Sequence, residues 1–214
     1  MTEEEWFASD DARDMLGRST LPNPSDRKLR LFAVACCRCC RQLMRNASHR
    51  DDVDLAERFA DGQATETELA AAHRRVNDLA CAHYADTKER EIRRWAEMVA
   101  VANAVRLPAD AGDAVWNLNR AAQRGIALNM VALLRDIVGN PFRPVVFSPE
   151  WRTSTAVAIA RGMYESRDFS PMPILADALQ DAGCYNDDVL NHCRDPQQVH
   201  VRGCWVVDHV LGKT

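Results

Sequence analysis

A long apolar run is the first thing this sequence lacks. Its longest, LFAVACC at Leu31–Cys37, falls far short of the about 20 apolar residues that a membrane-crossing helix takes. No export leader is expected either, since the opening MTEEEWFASDD is acidic and has no apolar core. The expectation is a cytoplasmic protein without a membrane partner. Glycine and proline number nine each in 214 residues, too few for a loop-rich β protein, and they gather at apparent helix boundaries. There is no excess of positive charge either: 27 Lys and Arg stand against 31 Asp and Glu, a formal net charge of −4. Overall electrostatics therefore gives no reason to expect a nucleic-acid partner.

The common catalytic strings are absent. There is no phosphate-cradling G-x-x-x-x-G-K-[ST], no dinucleotide fingerprint, no G-x-S-x-G elbow and no H-E-x-x-H pair. The paired acids Asp10-Asp11, Asp51-Asp52 and Asp187-Asp188 all stand near expected helix starts, where capping and the helix dipole account for them.

What is present is helical. Apolar residues make up 47% and charged residues 27%, the balance of a folded globular chain. Thr2 followed by three glutamates marks a helix start. Ser25 caps a second long helix running to about Arg45, with Leu29, Phe32, Cys36, Cys40 and Leu43 as its apolar stripe. Arg27, Arg30, Arg38, Arg41 and Arg45 would form a solvated basic face on its other side. A further helix covers about 51–60, and Thr65 with Glu68 forms a capping box opening another that reads to about Val105. The next runs from about Asp110 to Val138 and stops at Gly139.

The segment 139–148, GNPFRPVVFS, cannot be regular helix and reads as an extended, proline-containing crossover. Ser148-Pro149 restarts helix, and Ser170-Pro171 opens another with Ile174, Leu175, Ala178 and Leu179 facing inward. Asn186 caps a short helix through His192, and a last helix spans Cys204–Leu211 after an irregular loop. The fold class is all-α: a single multi-helix globular domain over residues 1–214, with 1–140 as a helical bundle and 141–214 as a C-terminal subdomain if the chain subdivides.

Cysteine is the unusual component. There are eight, half of them in CCRCC at Cys36–Cys40. Neighbouring cysteines on one helix cannot form ordinary disulfides, and a chain this large folds without staples. Reduced core thiols are one reading and metal ligation the other. Cys36/Cys39 and Cys37/Cys40 form two overlapping C-x-x-C pairs. The C-terminal segment holds Cys184, His192, Cys193, His200 and Cys204 within 21 positions. Thiolate and imidazole are the ligands zinc prefers, so His192, Cys193, His200 and Cys204 are the candidate metal set, although their spacing matches no common zinc pattern. Cys204 also follows a glycine at a helix start, a place that favours a thiolate. His200 or His209 could act as its base, with Asp208 or Asp188 orienting that base.

DRKLRLFAVACCRCC at Asp26–Cys40, LLRDIVGNPFRPV at Leu133–Val145 and LADALQDAGC…HCR…HVRGCWVVDHVLGK at Leu175–Lys213 together resemble a paralogous family of uncharacterised planctomycete bacterial proteins. The resemblance spans most of the chain. It implies that the cysteine-rich helix and the C-terminal motif belong to one recurrent unit, and it brings no activity, cofactor or catalytic residue with it. Three functions stay open: a non-enzymatic helical module binding a protein partner without a cofactor, a zinc-binding structural or regulatory protein, and a thiol-dependent enzyme.

Overall fold

The computed structural model describes residues 1–17, 24–39, 47–84 and 129–213, and among them all regular structure is helical. Two compact units divide the chain, Met1–Val131 and Ala132–Thr214. No helix among the described residues is long and apolar enough to cross a membrane.

In the first unit the short helices α1 (Glu3–Ala8) and α2 (Ala12–Gly17) precede α3 (Asp26–Cys39), α4 (Ala47–Ala60) and α5 (Glu66–Tyr84). The capping signals read from the sequence are made. Thr2 accepts from the Glu5 backbone while the Glu5 carboxylate returns to the Thr2 N–H, and Thr65 and Glu68 reciprocate in the same way. Helix α3 is more deeply buried than an apolar stripe implies. Leu31 through Cys37 are buried without a break, so both faces are covered.

The expected solvated basic face is instead partnered. Arg27 pairs with Asp61 at 3.0 Å, Arg30 lies 4.9 Å from the Phe59 ring centroid, and Arg38 bridges Asp54 and Glu57. The reason lies on α4, whose acids face α3. Because α4 begins at Ala47, Asp52 is not a capping residue: it is buried and pairs with Arg75 at 2.6 Å. Arg41 and Arg45, the apolar positions Cys40 and Leu43, and the helical span expected over 85–128 lie outside the described residues.

The second unit contains most of α6 (Met130–Val138), then α7 (Ser154–Ser166), α8 (Met172–Asp181), α9 (Asp187–Arg194) and α10 (Trp205–Leu211). Gly139 ends α6 with φ +75°. Residues 144–148 carry no regular structure, as two prolines in eight residues require. Ser148 then caps only a single 3₁₀ turn, Pro149–Trp151. The α-helix proper begins afresh because Thr153 supplies its own cap to the Ala156 N–H, and Arg152 between them is drawn to the Val210 carbonyl at 2.9 Å.

On α8 the buried stripe is Met172, Leu175, Ala176 and Leu179, the three- and four-residue steps of one helix face. Ile174 falls off that stripe and is 60% exposed, contrary to its expected inward placement. Met163, Leu175, Leu179, Val189, Cys193, Val206 and Val210 are among the residues filling the core of this unit.

Candidate metal centre

Four side chains from four places in the second unit converge: Asp136 from α6, His192 from α9, His200 from the loop after α9, and Cys204 from the start of α10. Local chemistry sets each one. Asn186 caps α9 by accepting from the Val189 N–H at 3.1 Å, which fixes the helix that presents His192. Cys204 is itself the N-cap residue of α10. The loop between these helices is tied back by Asp136, whose Oδ2 accepts the Val201 N–H at 2.9 Å. Its other oxygen, Oδ1, stays directed at the cluster.

The donor atoms meet closely. His200 Nδ1 lies 2.8 Å from Asp136 Oδ1, and His192 Nε2 lies 3.2 Å from the same oxygen. His192 Nε2 is also 3.2 Å from Cys204 Sγ, and Cys204 Sγ is 3.9 Å from His200 Nδ1. One donor atom from each residue lies within 4.8 Å of every other. Zinc bonds of 2.0–2.3 Å arranged tetrahedrally separate neighbouring donors by about 3.3–3.7 Å, and the distances found fall on either side of that range.

The cluster is secluded. Asp136 and Cys204 are fully buried, and the His192 and His200 side chains are 10% and 7% exposed. Burial pushes the Asp136 carboxyl up, but hydrogen bonds and charge from His192 and His200 outweigh it and hold the group below its ordinary value. Burial, reinforced by the Asp136 charge, raises the Cys204 thiol well above normal; the backbone N–H groups of Val206 and Val207 oppose this only in part.

Three of the four residues expected from the sequence, His192, His200 and Cys204, are thus brought together. Cys193 is not among the converging four. Consecutive helical residues point about 100° apart, so α9 turns His192 toward the cluster and Cys193 into the apolar core. There burial pushes the Cys193 thiol up to about 12. Cys184 is likewise a buried core thiol. In the first unit Cys36 and Cys37 are buried while Cys39 is exposed, which separates the members of the Cys36/Cys39 pair.

Asp136 is the residue that sequence reasoning missed, and a signal for it existed. It stands three residues after Leu133 and next to Ile137, both buried, so it lies on the apolar side of α6. It also lies in the last turn, where a carboxylate opposes the helix dipole. A charge in that position calls for a partner.

No protein-family model, curated protein or solved structure matches this chain. The family resemblance rests on its sequence motifs alone.

Proposed function

We propose that this protein is a zinc-binding helical module in which the metal is a structural element of the second unit. The observation that carries this reading is that the same imidazole nitrogen faces both the carboxylate and the thiol. His192 Nε2 is 3.2 Å from Asp136 Oδ1 and 3.2 Å from Cys204 Sγ. In a catalytic Cys–His–Asp relay the acid and the thiol engage opposite ring nitrogens, so that one orients the ring and the other exchanges a proton. Convergence on one nitrogen suits a shared cation at the centre.

The donor set supports the same conclusion. Two imidazoles, one thiolate and one carboxylate oxygen are ligands zinc accepts. The two anionic ligands neutralise a divalent ion, which removes the cost of isolated charge in a buried site. Four protein ligands fill a tetrahedron, the signature of a structural site rather than of one with a position left for substrate. The full burial of Cys204 further weakens the thiol-enzyme reading, because catalytic thiols sit in partly exposed, electropositive surroundings.

Elemental analysis of the purified, untagged full-length chain tests the proposal. About one zinc per chain is expected, as one four-ligand set requires, and it should fall away in Cys204→Ser and Asp136→Asn. A chain that retains no metal, and whose thermal unfolding responds neither to zinc nor to a chelator, would overturn it.

A further inference from the structure

We propose that Trp205 is a positioning residue for this metal centre, with its indole setting the orientation of the His192 ring from a seat on Gly139. The inference rests on the metal reading above and extends it to a residue that offers no ligand atom to the site.

The Trp205 and His192 ring centroids are 5.1 Å apart with the planes inclined at 53°, a ring-on-ring contact within the range of favourable aromatic pairs. Trp205 is 8% exposed, so the indole is fixed by packing rather than free in solvent. Its other neighbour is backbone. A Cβ at Gly139 would lie 3.0–3.2 Å from the indole atoms Cγ, Cδ1 and Cδ2, so close that the ring would have to shift by a few tenths of an ångström. Gly139 also adopts φ +75°, a conformation open chiefly to glycine. Two constraints therefore favour glycine there, and the first of them, the close approach, exists because of Trp205.

The placement links three of the four candidate ligands. Gly139 terminates α6, one turn beyond Asp136, with its N–H bonded to the Arg135 carbonyl at 2.9 Å. Trp205 directly follows Cys204 in the chain, and its ring rests against His192. One indole, belonging to the residue after Cys204, thus touches the end of the helix bearing Asp136 and lies against the His192 imidazole. His192 also meets His200 edge-on with ring centroids 4.9 Å apart. The His192 ring thus has two aromatic neighbours, Trp205 and its fellow candidate ligand, and its orientation is set by contact with both. Losing an outer hydrogen bond that orients a metal-ligating histidine typically costs about 10–100-fold in affinity, and a packing contact that orients the same ring acts on the same quantity.

The test uses the full-length chain with zinc and with cobalt(II) as a spectroscopic substitute. Wild type is compared with Trp205→Phe, Trp205→Leu and Gly139→Ala. Zinc affinity is read by competition against a chromogenic chelator, and ligand geometry by the ligand-field bands of the cobalt form at saturation. Trp205→Leu is expected to weaken zinc by about 10–100-fold and to alter the cobalt bands. Trp205→Phe, which keeps a ring against His192, should restore most of both properties, and Gly139→Ala should behave like the leucine variant. Wild-type cobalt bands in both Trp205→Leu and Gly139→Ala would overturn the inference even if their stability fell, since a purely structural tryptophan changes stability without changing the saturated site. If Trp205→Leu does not fold, wild-type bands in Gly139→Ala alone overturn it. A wild-type chain that binds neither metal would instead remove the metal reading beneath it.

Discussion

Asn186 shows how much can hang on a single side chain. Its carboxamide satisfies the Val189 N–H at the start of α9, and α9 is the element that delivers His192. Asn186→Ala should cost about 1 kcal/mol of stability, the usual value of such a cap, measured as a shift in the denaturant midpoint. Glu68 carries a second residue-scale prediction. Hydrogen bonds from the Thr65 backbone and hydroxyl hold its carboxyl below the ordinary value. A lowered folded-state value means that the unfolded chain takes up the proton first as pH falls. The stabilisation is therefore full above the normal glutamate range and is lost as pH drops through the lowered value. Glu68→Gln should flatten that part of the stability–pH curve, and an unchanged acid limb would count against the capping box as its source. The cysteines differ in exposure in a way that can be read directly. Native-state alkylation followed by peptide mass spectrometry should label Cys39 and leave Cys36, Cys37, Cys184, Cys193 and Cys204 protected, because only Cys39 among these is exposed.

At the scale of elements, α8 packs into the second unit through one stripe, Met172, Leu175, Ala176 and Leu179. Leu175 on α8 is fully buried, and Leu175→Ala should cost about 3 kcal/mol, within the range for cavities left by leucine. The sequence made such elements legible wherever the local chemistry was self-contained. Thr2, Thr65, Asn186 and Gly139 announce helix ends because a cap acts within three or four residues of itself. The extended crossover was legible for the same reason, from its prolines. What it could not announce were partnerships across the chain. The arginines of α3 look solvated until the acids of α4 are placed opposite them. Ile174 looks inward-facing because its neighbours are apolar, although helical phase puts Leu175 and Leu179 inside. The candidate site divides along the same line. His192, His200 and Cys204 lie within 13 consecutive residues and were legible as a group. Asp136 comes from 56 residues before His192 and enters only through tertiary packing. Cys193 shares its ligand chemistry and its neighbourhood in the chain with the others, and helical phase sends it to the core.

For the whole molecule, the proposed metal site belongs entirely to the unit 132–214. Its effect should be confined accordingly. Hydrogen exchange of the full chain with and without a chelator should show faster exchange over α9, the following loop and α10 when metal is removed, with α3 and α4 unchanged. Uniform acceleration across both units, or none anywhere, would contradict a local structural metal. If a ligand binds only the folded form, its stabilisation grows with concentration and reaches about 4 kcal/mol at a thousandfold excess over Kd. Zinc should thus raise the unfolding midpoint of the second unit in a concentration-dependent way.

The crossover at 139–148 separates the carboxylate donor from the three other donors, and it includes Val146, which is 91% exposed. A protease that nicks the chain at that point would, with the proposed zinc bound, leave two polypeptides that still share one ion. The metal would then take over the work of the severed peptide bond. The nicked protein should run as a single species on native gels and fall into two pieces when the zinc is withdrawn.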